Sequence, residues 1–121
     1  MRRFLTSLLC AVAGIGYGLR TQRHLRFHCF AGLCAVLLGF CSRLSGVQWG
    51  LLILTIAAVL AAELFNTAVE AVVDLVSPAQ HPLAKAAKDT AAGAVLVLAM
   101  AALLVAVLLF VPSLLTCIMP R

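Results

Sequence analysis

The sequence predicts an all-α integral membrane protein made of three transmembrane helices and an N-terminal amphipathic helix. Three observations lead to this prediction: 64% of the 121 residues are hydrophobic, only 11% are charged, and the mean hydropathy is +1.15. Soluble domains do not have this composition, because a single chain of this length cannot bury so much apolar surface by itself. We therefore treat residues 1–121 as one membrane domain.

The first predicted element is an amphipathic helix over residues 1–20. Apolar side chains recur there at helical spacing between arginines at either end, namely Phe4, Leu5, Leu8, Leu9 and Val12. This pattern is typical of a helix that lies in the membrane interface. A cleaved signal peptide is the alternative, but the glycines inside the stretch and the arginines after it favour the interfacial helix.

Three later stretches are long enough to cross a bilayer, which takes about 20 predominantly apolar residues in a helix. They are residues 27–44, 47–76 and 91–119. The first is the shortest in apolar length, and the second carries polar residues in its later half. The third contains no charge between Ala91 and Val111, and Pro112 is expected to kink or end its regular part.

The distribution of basic residues predicts the orientation, since lysine and arginine are enriched on cytoplasmic flanks. Seven precede the first span or lie between the second and third: Arg2, Arg3, Arg20, Arg23, Arg26, Lys85 and Lys88. Only Arg43 and Arg121 fall on the other side. We therefore expect a multi-pass membrane protein with a cytoplasmic N-terminus. Its net charge of +5 indicates attraction to anionic lipid headgroups rather than to nucleic acid.

The acidic residues are the most informative part of the chain, because only four occur: Glu63, Glu70, Asp74 and Asp89. Helical spacing places the first three within about 40° of one another on the second span. Carboxylates in a membrane segment are costly unless they are paired, hydrated or bound to a cation, and they indicate a functional site. A polar seam that joins subunits is the alternative.

A polar loop separates this stripe from the third span. Ser77-Pro78 and His81-Pro82 break the helix, and the chain is expected to become helical again near Leu83. Lys85, Lys88 and Asp89 then follow at the cytoplasmic boundary. Carboxylates on one side and lysines on the other can hold a divalent cation and a polyphosphate together, although the lysines also fit simple topology marking.

Two segments resemble the small prokaryotic diacylglycerol kinase and undecaprenol kinase family. They are "AELFNTAVEAVVDLVSP" and "HPLAKAAKDTAAGAVL", and a looser similarity covers "AGIGYGLRTQRHLRFH", where Gly14, Arg26 and His28 fit the family pattern. The resemblance implies a homotrimer that transfers the γ-phosphate of MgATP to a lipid alcohol at the cytoplasmic surface, with active sites between subunits.

The resemblance also implies a role for each matching residue. Glu63 is expected to be the general base, and Glu70 to hold Mg²⁺ on the ATP phosphates. Asn66, Asp74 and Arg26 are expected to support the site or the substrate. The nucleotide contacts implied in addition to Glu70 are Gln80, His81, Lys88 and Asp89.

One position departs from the family pattern. Gln22 occupies the place where the family usually has a second metal-holding glutamate, and its amide oxygen can ligate Mg²⁺ but supplies no charge. Three interpretations of the chain therefore stay open. It phosphorylates undecaprenol, which the "LVSPxxHPLAKxAKD" pattern favours, or it phosphorylates diacylglycerol, or it is a weakly active or inactive membrane adaptor.

Overall fold

The computed structural model describes residues 2–77, 79 and 81–118, and it describes side chains up to residue 115. Within these residues the chain forms four long helices and no strand: α1 (Arg2–Thr21), α2 (Arg23–Cys41), α3 (Gly46–Val76) and α4 (Pro82–Ile118). All four are long and apolar enough to cross a membrane by length and composition. The expected all-helical membrane fold is thus confirmed at this level.

The turn between α2 and α3 fixes these two helices as an antiparallel pair. Arg43 adopts a left-handed conformation (φ 51°), and the N–H of Leu44 donates to the carbonyl of Gly39 at 3.4 Å. This pattern closes a helix C-terminus, so α2 ends at Cys41 and not at the predicted residue 44. Ser45 and Gln48 then form a reciprocal capping box that starts α3.

Close approach of α2 to α3 depends on two glycines. A Cβ atom at Gly39 would lie 2.9 Å from the Trp49 ring, and one at Gly32 would lie 3.0 Å from Ile56. Neither neighbour is the flexible end of a long side chain, so a larger residue would push the helices apart. These contacts set the register that later brings polar side chains of the two helices together.

One cluster of buried apolar side chains lies at the end of the bundle near the α2–α3 turn. It contains Leu44, Leu52, Leu109 and Phe110, with Trp49 and Ile56 packed against it. At the other end of α3 the buried side chains include Glu63 and Thr67. The fold therefore separates an apolar end, near the α2–α3 turn, from a polar end, near the α3–α4 loop.

Helix α4 begins at Pro82, close to the predicted Leu83, because proline suits the first helical position. The contact between α3 and α4 is more extensive than that between any other two helices. Pro112 was expected to kink or end the regular part of the last helix. It does not end the helix, since α4 continues through it to Ile118.

Candidate functional site

Gln22 is the one residue between α1 and α2, and it has an extended backbone (φ −104°, ψ 114°). Its side chain does not cap α2. Instead, its Nε2 donates a hydrogen bond of 2.9 Å to Oε2 of Glu70. A carboxylate only accepts hydrogen bonds, so the amide nitrogen faces it. The break between the two helices thus brings Gln22 to the C-terminal half of α3.

Asn66 holds the other oxygen of the same carboxylate. Its Nδ2 donates to Oε1 of Glu70 at 3.1 Å, one turn along α3. Its own Oδ1 is buried and has no hydrogen-bond partner among the described residues. Leaving a buried acceptor without a hydrogen bond costs about 1–3 kcal/mol of stability. A bound cation or a hydrogen-bond donor at this oxygen would remove that cost.

These residues fit a magnesium ion that arrives with a polyphosphate. Mg²⁺ prefers oxygen and is usually held by one or two carboxylates together with substrate phosphates. Glu70, Asn66 and Gln22 supply one carboxylate and two amide oxygens. No group of three or more His, Cys, Asp or Glu side chains that could hold a metal occurs in the described part of the chain.

Glu63 is the most deeply buried acidic residue that the structure describes, with 3% of its surface exposed. Its Oε1 lies 3.3 Å from Nε2 of His28 on α2, and Thr67 donates to its backbone carbonyl at 2.8 Å. Sequence reasoning did not pair His28 with Glu63. The pairing follows from the antiparallel register of α2 and α3, which the sequence alone does not give. This register places position 28 opposite 63, just as it places 22 opposite 70.

A basic cleft lies beyond these two sites, where α3 gives way to α4. It has a volume of about 630 Å³, and its polar lining comes from Asp74, Ser77, His81, Lys85 and Lys88. Lys88 forms an ion pair with Asp74 across the two helices. Nδ1 of His81 accepts the backbone N–H of Leu83 at 3.2 Å, so His81 caps the start of α4 while it lines the cleft.

Three of the predicted site residues do not join these clusters. Asp89 pairs at 3.7 Å with Lys85 on its own helix, and both side chains are largely exposed. Arg26 is exposed, and within the described chain it makes a backbone hydrogen bond to Gln22 but no side-chain ion pair. Gln80 lies outside the described residues. The nucleotide roles expected for Asp89 and Gln80 and the supporting role of Arg26 therefore stay predictions.

The polar groups are arranged in three layers along α3. The Glu63–His28 pair comes first, the cluster of Glu70 with two amides follows about 10 Å further along the helix axis, and Asp74 with Lys88 lies about 6 Å beyond that. Burial decreases in the same direction, from Glu63 to the exposed Asp74. The layers lead from the interior of the bundle towards the cleft.

The fold and the site together define a small helical membrane protein with an oxygen-rich, phosphate-compatible site at one end of its bundle. Residues 9–110 match the family described as prokaryotic diacylglycerol kinase, and the chain belongs to this family. It is accordingly a lipid kinase, which is a transferase.

Two curated relatives match most of the chain. It is 42% identical to undecaprenol kinase of Bacillus subtilis over 94% of its own length and 93% of the relative. It is 44% identical to a diacylglycerol kinase of Synechocystis over 93% of its own length, but covers 65% of that protein. A diacylglycerol kinase of Helicobacter pylori is 41% identical over 53% of the chain, which covers 49% of that relative.

Proposed function

We propose that this chain transfers the γ-phosphate of ATP to a membrane lipid alcohol, and that the alcohol is undecaprenol. The observation that carries the proposal is the placement along α3 of a buried carboxylate, Glu63, followed two turns later by the amide-held carboxylate Glu70. The base buried in the bundle would serve the water-insoluble acceptor. The carboxylate nearer the cleft would serve the water-soluble donor.

Glu63 is the general base for the lipid hydroxyl. Phosphoryl transfer depends mainly on positioning and charge neutralisation, so one carboxylate at the acceptor suffices on that side. In the single chain 3% of the surface of Glu63 is exposed, whereas Phe65, two residues further and on the opposite side of α3, is 75% exposed. The proposal therefore requires the lipid hydroxyl to enter the bundle beside α3.

Glu70 is the carboxylate for the metal side of ATP, with oxygens of Asn66 and Gln22 available beside it. When bound, Mg²⁺ would neutralise charge on the phosphates. Lys88 would neutralise phosphate charge from the cleft, and the exposed Asp74 holds its ammonium group near the site until a nucleotide binds. The expected nucleotide contacts of His81, Gln80 and Asp89 would complete the donor side, and Arg26 would face the substrate headgroup.

The assembly we propose is a homotrimer in the bacterial plasma membrane, with three transmembrane helices per subunit and α1 in the interface. The single chain leaves many large apolar side chains exposed on α2 and α4, and these require lipid or other subunits as neighbours. In α1 only Gly18 is buried, as expected for a helix that lies beside the bundle. The seven-to-two distribution of basic residues supports a cytoplasmic N-terminus.

Undecaprenol is favoured over diacylglycerol by the extent of the two matches. The chain covers 93% of the undecaprenol kinase but 65% of the Synechocystis diacylglycerol kinase. The higher identity to the second relative, 44% against 42%, keeps diacylglycerol as the second candidate.

A lipid panel tests the proposal. The purified protein in mixed micelles is given labelled ATP and Mg²⁺ with undecaprenol, with diacylglycerol or with no added lipid, and label in the organic phase is counted. We expect transfer to undecaprenol at the highest rate, and we expect the Glu63→Gln variant to lose most of it. Transfer to diacylglycerol alone would change the substrate, and transfer to neither lipid would leave the inactive adaptor as the better interpretation.

A further inference from the structure

We infer that His28 is the positioning residue of the general base: its Nε2–H holds Oε1 of Glu63, so that Oε2 is the oxygen that meets the lipid hydroxyl. This inference rests on the proposed function, in which Glu63 is the base. It means that α2, as well as α3, contributes a residue to the activation of the lipid hydroxyl.

The burial of Glu63 requires a donor of this kind. A carboxylate with 3% exposure has lost nearly all contact with water, and a buried charge is stable only where it is paired and hydrogen-bonded. No lysine or arginine in the described part of the chain forms an ion pair with Glu63. The polar partner of its carboxylate is His28, at 3.3 Å.

The hydrogen of this contact belongs to histidine. In the inferred pairing Glu63 is ionised and offers only acceptors, so Nε2 of His28 carries the hydrogen that lies between the two groups. The ring is itself held from the side, since it packs edge-on against Phe27 with ring centroids 5.5 Å apart. Nε2 of His28 therefore lies beside one oxygen of Glu63, at 3.3 Å.

The second oxygen of Glu63 is left for the substrate. Oε2 accepts no hydrogen bond from the residues that the structure describes, whereas both oxygens of Glu70 are occupied by amides. In the transfer step the hydroxyl proton moves to Oε2, the lipid oxygen bonds to the γ-phosphorus, and the bond from that phosphorus to the β–γ bridging oxygen breaks. The electron pair of that bond leaves with ADP, and His28 keeps its hydrogen throughout.

Substitutions at His28 separate this role from simple packing. The amide nitrogen of glutamine reaches about as far from the backbone as Nε2 of histidine, whereas that of asparagine reaches only as far as Nδ1. We expect His28→Gln to keep kcat within about threefold of wild type. We expect His28→Asn and His28→Leu to lower kcat by about 10- to 100-fold with the KM for ATP unchanged, as for a lost hydrogen bond to a charged group.

His24 provides the matched control, because it lies one turn earlier on α2 and is exposed, with no side-chain hydrogen bond or ion pair to the described residues. His24→Leu and His24→Asn are expected to leave kcat unchanged. Equal kcat for His28→Gln and His28→Asn would overturn the inference. This comparison stands even where His28→Leu fails to fold, since both amide variants are polar and similar in size.

Two further measurements distinguish this inference from the proposed function. In a Glu63→Gln background His28→Asn should cause little further loss, because the pair acts as a unit. Nitrogen-15 spectra of the histidine rings should show a hydrogen on Nε2 of His28 without any substrate, and an unprotonated Nε2 would overturn the inference. If the wild-type protein phosphorylates no lipid, the proposed function fails, while the ring spectra still report on the His28–Glu63 contact.

Discussion

Replacing Gln22 with glutamate is expected to have opposite effects with and without Mg²⁺. The amide of Gln22 now donates to Oε2 of Glu70 at 2.9 Å. In Gln22→Glu a second carboxylate faces the first, so the protein loses a hydrogen bond to a charged group and gains a repulsion. We expect the free energy of unfolding without Mg²⁺ to fall by about 2 kcal/mol.

With Mg²⁺ the new charge becomes favourable. Opposite unit charges about 4 Å apart attract by about 4 kcal/mol at an effective dielectric constant of 20, and a divalent ion increases this value. Desolvation of the new carboxylate and its repulsion by Glu70 offset most of the gain. We expect about 1.4 kcal/mol to remain, which lowers the Mg²⁺ concentration for half-maximal activity by roughly tenfold.

The assay is a Mg²⁺ titration of lipid phosphorylation, paired with thermal unfolding in the presence and absence of Mg²⁺. Gln22→Met is the control, since it keeps the length of the side chain but has no donor or charge. It should lose less stability than the glutamate variant, because it gains no repulsion, and it should show no downward shift of the Mg²⁺ midpoint. An unchanged midpoint in Gln22→Glu would refute the reasoning, and it would indicate that the new carboxylate pairs with Arg23 or Arg26 instead.

Five other substitutions test the site, the topology and the packing. Glu63→Gln and Glu70→Gln should each remove most of the activity without dissociating the oligomer. Extra Mg²⁺ should partly rescue only the second, because we propose Glu70, and not Glu63, as a ligand of the metal. A cysteine at position Ser45, in a background without the native cysteines, should react with an impermeant thiol reagent added outside intact cells. Gly39→Ala should lower the melting temperature because its Cβ would meet the Trp49 ring at 2.9 Å, whereas Gly50→Ala, with nothing within 4 Å, should not.

Each of these expectations has a clear opposite. Near-normal turnover by either glutamine variant would remove that glutamate from the catalytic site. Labelling of the α3–α4 loop from outside, with the α2–α3 turn protected, would invert the topology and separate the cleft from ATP. Equal melting temperatures for the two alanine variants would show that the Trp49 ring moves at little cost.

The sequence predicted the individual elements well, because each depends on local properties of the chain. Apolar length and helical spacing are sufficient to indicate the long helices, and Pro82 marks the start of α4. Two features of the helices depend on exceptions to local rules. Arg43 takes a left-handed conformation that usually favours glycine, and α4 tolerates Pro112 in its interior.

The identities of the acidic site residues were also available from the sequence. A charge is costly in an apolar helix, so Glu63 and Glu70 are conspicuous from the order of residues alone. Their partners were not available in this way. Gln22 was singled out as a departure from the family pattern and His28 as a match to it, but neither observation says which carboxylate each one contacts.

What the sequence determined by itself is therefore the class of protein, the helices and the stripe of carboxylates on α3. Only the tertiary structure decided that Gln22 holds Glu70 and that His28 holds Glu63. These contacts join residues that are far apart in the chain, and they exist because the α2–α3 turn and the glycines at positions 32 and 39 fix one antiparallel register. Periodicity within a helix reports which residues share a face, but the residues opposite that face follow from how two helices pack.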